Sequence, residues 1–394
     1  MPLDFANPDD MEIWQFNLRH LQAVAKIAEL GTINAAANAV NLTQPAITQA
    51  LSRIETQLGA PLFERRHDGM APTEAAELLV PRIDAAMSYI ASPHVTMSRL
   101  RALLALADTG SYAGASAKTN LSLPSVHRAV SDLSLAMRRK LVERRGKAVK
   151  LTEAGHQTAR SFRLARVELE TGLSEIEALK GHETRYIVIG AMPLSRARVL
   201  PAAVTRFHKR HPEVKVSIAE GARSELVEPL RDGTLDLMIG ALRDPLLEEE
   251  LVQQPLFDDM PTVIACQGHP LSGTVPGPEQ LARYPWIIAG SGAPLRDIWE
   301  RFFSEAGQPL PRAPVESGSV MIIRQILIDS DFLSLLSPDQ VKVEIEAGWL
   351  ERIAVLPPAF GRKIGITTRA SWRPTEVQRE FLSDLQAAAA EVSG

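Results

Sequence analysis

The chain has 394 residues, 45% hydrophobic, 23% charged and 5% aromatic, which suits two to four soluble domains and favours helices in the alanine- and leucine-rich front half. The N-terminus, MPLDFANPDDMEIWQF, is acidic and has no basic-then-apolar signal pattern, and no apolar run reaches the roughly 18 residues of a membrane helix. The expectation is a cytoplasmic protein with no membrane partner. The single cysteine, Cys266, excludes an intrachain disulfide and an all-cysteine metal cluster, and reads as a buried thiol. The net charge of −4 is uneven: residues 1–180 hold 21 Lys+Arg against 19 Asp+Glu, and residues 181–394 hold 22 against 28, so the front half is the candidate for meeting a polyanion.

The front half repeats itself. Residues 18–76 align with residues 97–155 at a constant offset of 79, and 17 of the 59 pairs are identical, among them Gly31/Gly110, Asn41-Leu42/Asn120-Leu121, Pro45/Pro124 and Glu64-Arg65-Arg66/Glu143-Arg144-Arg145. In the first copy Leu18, Leu21, Val24, Ala25 and Ala28 have helical spacing, and Gly31 ends that helix. Thr32 caps a short second helix, Asn41-Leu42 turns, and Thr43 caps a third with Pro45 in its first turn, where the amides have no helical partner. Along it Ile47, Leu51, Ile54 and Leu58 form an apolar stripe that leaves Gln44, Thr48, Gln49, Ser52 and Arg53 outward. The second copy sets Val126, Val130, Leu133 and Met137 inward, with Ser125, His127, Arg128 and Asp132 mostly outward, and Ser122, like Thr43 in the first copy, joins the DNA-binding candidates. Amides, hydroxyls and arginine at the start of the second of two short helices suit the base edges of the DNA major groove. Each copy then continues into Leu-Phe-Glu-Arg-Arg or Leu-Val-Glu-Arg-Arg and a short turn, a β-wing whose Arg65 and Arg66, or Arg144, Arg145 and Lys147, can meet phosphate.

The run LTQPAITQALSRIETQLGAPLFERR closely resembles the N-terminal domain of LysR-type transcriptional regulators, and LSLPSVHRAVSDLSLAMRRKLVERRGKAVKLTEAGHQTA resembles it too. Ordinary members have one such domain; this chain has two. Pro72 and Ala76 replace the family's Leu and Gly in the first copy, and Leu123 and Met137-Arg138 replace Gln and Leu-Gly in the second. Residues 39–71 balance three basic against three acidic side chains, whereas residues 118–150 hold nine against two. The second copy is therefore expected to supply most of the phosphate attraction and the first more of the base reading. The stretch after the first wing reads as a helix interrupted at Pro81 and stopped near Ser92-Pro93. Residues 153–180 read as a longer helix whose seam is Val167, Leu169, Leu173, Ile176 and Leu179, closed by Gly181. The resemblance implies that the latter is the dimerisation element; packing on its own chain, with the two copies paired internally, is the alternative.

From Tyr186 strands and helices alternate: YIVIG, VLPAAVTRFHKRH, VKVSIAEG, SELVEPLRDG, LDLMIGAL. That order calls for a parallel α/β sheet. TVIACQ, WIIAG and FLSLLS supply a second lobe with helices near 294–306 and 319–329; RKIGITTRASW returns to the first lobe, and a closing helix comes last. The expected architecture is two α-rich winged helix-turn-helix domains (15–92 and 95–152), a linker helix (153–181) and a two-lobed, periplasmic-binding-protein-like α/β effector domain (185–394, with lobe I about 185–258 and 353–394 and lobe II about 259–352). Leu200-Pro201, Phe207, His211-Pro212, Glu220-Gly221 and Leu235-Asp236-Leu237 resemble the effector domain of the same family, and the tail GRKIGITTRASWRPTEVQREFL resembles its sugar-uptake and protocatechuate branch. Loops after strands and helix N-termini around the cleft give the effector-binding candidates Met192, Leu194, Ser195, Gly221, Ser224, Ser291, Gly292, Ser317, Gly318 and Ser319.

No metal-spaced histidines, GxSxG elbow, phosphate loop or dinucleotide fingerprint occurs, so no catalytic residue, metal or cofactor is expected. The reading is a transcriptional regulator whose promoter binding is controlled by a small organic acid, aromatic catabolite or sugar. Its partners are double-stranded promoter DNA, the effector, RNA polymerase and a second copy, with a dimer as minimal unit. The competing reading is a protein-interaction scaffold built on degenerate helix-turn-helix modules.

Overall fold

The computed structural model describes residues 13–67, 69–145, 148–181 and 186–393. Its contacts divide the chain into two units, Met1–Arg185 and Tyr186–Gly394. In the first unit the same order of elements occurs twice. Helices α1 (Leu18–Leu30), α2 (Ile33–Ala39) and α3 (Gln44–Leu58) precede a hairpin of β1 (Phe63–Arg66) and β2 (Gly69–Pro72), then α4 (Glu74–Ile90). Helices α5 (Met97–Thr109), α6 (Tyr112–Thr119) and α7 (Leu123–Ala136) precede β3 (Val142–Arg145) and β4 (Ala148–Leu151), then α8 (Glu153–Leu179).

Local chemistry explains why the two orders match. Thr32 and Ser111 accept the amides of Ala35 and Gly114, and Thr43 and Ser122 accept those of Ala46 and Ser125, so each helix start has a side-chain cap. Gly31 and Gly110 end α1 and α5 at φ 74° and 66°, a left-handed turn that glycine adopts without steric cost. Asn41 and Asn120 take the same region between the second and third helices. Thr73 and Thr152 fasten the hairpins to α4 and α8. Each donates its hydroxyl to the carbonyl of residue 61 or 140 and its amide to that of residue 62 or 141. The buried stripes are those expected: Ile47, Leu51, Ile54 and Leu58 on α3, and Val126, Val130 and Leu133 on α7, with Met137 half-buried.

Two expectations need correction. Pro81 does not interrupt α4, which runs unbroken to Ile90 and stops at Ala91 in the left-handed region. The proline lies on the exposed side, while Leu79, Ile83 and Ala86 are buried, so packing sustains a helix that local preference alone would break. Leu179 is exposed rather than part of the α8 seam; Leu169, Leu173 and Ile176 are buried, and Val167 is half-buried. That seam packs on α4 and α5 of its own chain.

In the second unit the order is β5 (Tyr186–Ala191), α9 (Val199–Arg210), β6 (Lys215–Glu220), α10 (Arg223–Arg231), β7 (Leu237–Ala241), β8 (Leu251–Asp259), β9 (Thr262–Cys266), α11 (Pro278–Leu281), β10 (Ile287–Ile288), α12 (Pro294–Glu305), β11 (Val315–Glu316), α13 (Val320–Ile328), β12 (Ser334–Leu336), α14 (Lys342–Glu346), β13 (Leu350–Val355), β14 (Arg362–Arg369) and α15 (Glu376–Ser393). One sheet has the order β6-β5-β7-β14-β8, with β5 parallel to β6 and β7, and β14 antiparallel to both its neighbours. The sheet is thus mixed rather than purely parallel, because the returning strand enters from the opposite end. A second sheet, β12-β9-β13, and the parallel pair β10-β11 build the other lobe around Trp286, Trp299 and Phe303. The closing helix α15 lies on α9, where Phe381 meets Phe207 edge-on and Glu380 meets His211 Nε2 at 2.7 Å. Cys266 ends β9 half-buried rather than buried, and burial still raises its thiol pKa.

Candidate nucleic-acid interface and effector site

Helix α3 turns one edge to solvent. Thr43, Gln44, Gln49, Ser52 and Arg53 are exposed and Thr48 half-buried, its hydroxyl donating to the Gln44 carbonyl at 3.0 Å. Apart from Thr43, these side chains line a shallow hollow along the helix together with Pro45, Thr56 and Gln57. Burial, and to a lesser degree the Arg53 charge, depress the pKa of His20 on α1, so His20 is neutral behind the positive edge at pH 7. The wing is pinned to the end of α1 by Met70 N donating to Gly31 O at 2.8 Å, and Arg65 and Arg66 are exposed on it.

At the start of α7 the cap Ser122 and Leu123, Pro124, Ser125, His127 and Arg128 are exposed, as is Leu135 near its end. The two serine hydroxyls share a hydrogen bond of 2.7 Å, and His127 packs its ring 4.8 Å from Tyr112 at the start of α6, which steadies it against the helix. Asp132 is half-buried and lies 3.6 Å from Arg99. The exposed turn Arg138-Arg139-Lys140 after α7 adds three cations that sequence reasoning did not single out as site residues. Their signal was present in the basic excess of residues 118–150. Arg144 and Arg145 fall on β3 but their side chains, like all of Lys147, lie outside the described residues.

The effector candidates divide into two groups. Met192, Leu194 and Ser195 occupy a buried 3-10 turn, Pro193–Arg196, directly after β5. Ser195 is fully buried and donates its hydroxyl to Met192 O at 2.9 Å, so that hydroxyl holds the turn together. The Met192 side chain covers Gly240 of β7, where an added Cβ would lie 2.5 Å from the methionine methyl. Gly221 is half-buried, Ser224 exposed, and both precede or open α10. In the other lobe Ser291 and Gly292 are exposed ahead of α12, and Gly318 and Ser319 ahead of α13; Ser317 accepts the Ser319 amide at 3.1 Å. Neither α12 nor α13 has a side-chain cap; α12 opens on Pro294, which has no N–H, and its Arg296 amide already donates to Ala293 O, so α13 offers more first-turn amides to an anion.

Sequence reasoning missed Arg243, which comes after β7 and places Nη2 3.5 Å from Gly292 O, joining the first lobe to the start of α12. Arg198 likewise crosses to Asp339 at 2.8 Å, and Arg196 pairs with Glu220. Directly before β7 Asp236 is half-buried, and desolvation pushes its carboxyl up to about 6 although it accepts the Val188 amide at 2.8 Å. Among the described residues no group of three or more metal-ligating side chains converges, and no helix is long and apolar enough to cross a membrane.

Helix-turn-helix elements joined to a two-lobed α/β ligand-binding fold define a DNA-binding, ligand-responsive regulator. The family description "Bacterial regulatory helix-turn-helix protein, lysR family" matches residues 18–77 and again 97–156, and "LysR substrate binding domain" matches residues 180–390. The HTH-type transcriptional regulator GalR of Pseudomonas putida is 30% identical over 367 residues, covering 90% of this chain and 92% of that protein. Among solved structures, full-length LysG from Corynebacterium glutamicum with bound effector Arg has a TM-score of 0.56 at 18% identity, over 74% of this chain and 97% of that one. Full-length CbnR in complex with its target DNA has a TM-score of 0.51 at 16% identity, over 74% and 98%. The chain belongs to the LysR family of transcriptional regulators: it binds DNA and responds to a small molecule through its substrate-binding domain.

Proposed function

We propose that both helix-turn-helix copies, not one, contact promoter DNA. The observation that carries this reading is the recurrence of a capped third helix with an exposed polar edge, followed by a wing, in each copy. Two coverage figures support it. A full-length member such as LysG is matched almost whole by 74% of this chain, leaving room for one further module. The Pseudomonas putida relative matches 90% of this chain, a share that leaves out less than the 59 residues of one copy. The first copy reads bases and the second holds phosphate, because the turn after α7 is cationic where the first copy has Gly59-Ala60-Pro61.

Of the effector classes the sequence suggests, a small organic acid fits best, since the uncapped starts of α12 and α13 and the nearby Arg243 all favour negative charge. Effector binding shifts the balance between arrangements of the regulator to the extent that it prefers one of them. A dimer is the minimal working unit and RNA polymerase the downstream partner. Footprinting with the full chain tests the core of the reading. Disabling α3 (Gln49→Ala with Arg53→Ala) and disabling α7 (His127→Ala with Arg128→Ala) should each shorten the protected region. A footprint unchanged by the α7 pair would retire the second copy as a DNA-binding module.

A further inference from the structure

Helices α4 and α8 occupy equivalent places in the two copies, each opened by Thr-Glu-Ala. They pack on one another antiparallel: Lys180, at the end of α8, donates to Leu58 O at 2.9 Å, beside the hairpin from which α4 starts, while Arg82 in mid-α4 meets Glu168 and Glu175. An antiparallel pair of equivalent helices is what a two-fold dimer of single-copy chains would supply. Here one chain supplies it alone.

The pair is not symmetric. Arg82 Nε and Nη2 each donate to Glu175 at 3.0 Å, and Nη1 donates to Glu168 at 3.1 Å; Arg82 and Glu168 are more than nine-tenths buried. At the offset of 79, Ser161 corresponds to Arg82, and Tyr89 and Thr96 correspond to Glu168 and Glu175. Pairing α8 with a second α8 would bury four carboxylates without their cation, and pairing α4 with a second α4 would leave Arg82 without its carboxylates. Only unlike helices satisfy the cluster. The recognition edges so held also differ. Gln44, Thr48 and Gln49 on α3 correspond to Leu123, His127 and Arg128 on α7. Glutamine amides pair with adenine, arginine pairs with guanine, and an exposed leucine suits the thymine methyl group.

Given that both copies bind DNA, as proposed above, we infer that one chain reads a non-palindromic, two-box DNA element: an adenine-containing box under α3 and a dissimilar guanine- and thymine-containing box under α7, paired in fixed order by the Arg82–Glu168–Glu175 cluster. A second chain repeats this unit; it does not complete it.

The experiment is enrichment of sequences from a fully randomised duplex library by the full-length protein. The expected motif holds two unlike boxes in each repeating unit. Enrichment of two identical inverted boxes as the smallest unit would overturn the inference while leaving DNA binding by both copies intact. Enrichment of a single box would instead overturn the reading on which the inference rests. Grafting the first edge onto the second copy (Leu123→Gln, His127→Thr, Arg128→Gln) should convert the motif to an inverted repeat of the first box, preferred at least tenfold over the original. Unchanged preference counts against α7 as the reader of the second box. Arg82→Glu should lower affinity for the two-box element at least tenfold while single-box binding persists, and the added changes Glu168→Arg and Glu175→Arg should restore it. Should Arg82→Glu not fold by circular dichroism, Arg82→Gln serves the same comparison, and full two-box affinity in that folded variant removes the cluster from the mechanism.

Discussion

Arg138 holds φ at 51° at the place where the first copy has Gly59 at 62°. A side chain in this region costs on the order of 1 kcal/mol, so the second copy keeps the turn after its recognition helix against its own backbone preference. Arg138→Gly should therefore stabilise the first unit by about 0.5–1 kcal/mol, and Gly59→Ala should destabilise it by about 1 kcal/mol, although an added Cβ at Gly59 meets nothing nearer than Lys180 Nζ at 3.7 Å. Urea unfolding midpoints at constant m-value measure both. Asp236 makes a second residue-level claim. Its carboxyl titrates at about 6 in the folded unit and near 3.8 unfolded, so the folded state binds the proton more tightly. A carboxyl raised in this way stabilises below about pH 4 and loses that contribution as pH rises to about 6, a change of at most ~3 kcal/mol. Asp236→Asn should flatten this part of the stability profile. The difference in unfolding free energy between the natural chain and the variant, followed from pH 4 to 7, should move in favour of the variant as pH rises. A pH-independent difference would mean that Asp236 is not titrating there.

The elements most readable from the sequence are those whose reasons are local. The caps Thr32 and Thr43, the helix-ending Gly31, and the period of Ile47, Leu51, Ile54 and Leu58 all lie within a few residues of the structure they specify. Strand β8 escaped sequence reading because it is an edge strand in which only Leu251, Phe257 and Asp259 are buried and Pro255 sits mid-run. Arg82 escaped because its carboxylates lie 86 and 93 residues away, and nothing local marks an arginine between Leu79 and Ile83 as buried. For the same reason Arg243 was absent from the effector set: Gly292 is 49 residues distant. The α4–α8 cluster also has an energetic signature. Truncating Arg82 to Ala should cost about 3–5 kcal/mol, because the buried Glu168 and the half-buried Glu175 lose their cation. Replacing all three members together with Met, Leu and Leu should be close to neutral or stabilising, since no charge then remains to be solvated. Thermal unfolding of the single and triple variants would show this, and a triple variant as unstable as the single one would mean that packing, not charge, governs the site.

At the scale of the molecule, a net charge of −4 would repel DNA were it evenly spread. Attraction must come from local surplus, and residues 118–150 hold nine basic side chains against two acidic, while residues 39–71 are balanced at three each. The densest described part of that surplus is the exposed turn Arg138-Arg139-Lys140, directly after α7, with Lys118, Arg128 and Lys150 also described and exposed. Each cation that meets a phosphate releases counterions, so the logarithm of affinity falls with the logarithm of salt by about 0.9 per contact. Neutralising the three residues of that turn to Gln should therefore flatten the salt slope by up to ~3 and weaken binding to all duplexes alike. Arg53, exposed on α3 with the Gln44 and Gln49 amides, should behave differently: Arg53→Gln should alter preference among sequences and move the slope by less than one contact. Fluorescence-anisotropy titrations of the full chain between about 50 and 200 mM salt, against a matched and a scrambled duplex, would separate the two effects. If both sets of variants lost slope equally, the copies would share phosphate contact evenly, and the charge contrast between them would have no counterpart in binding.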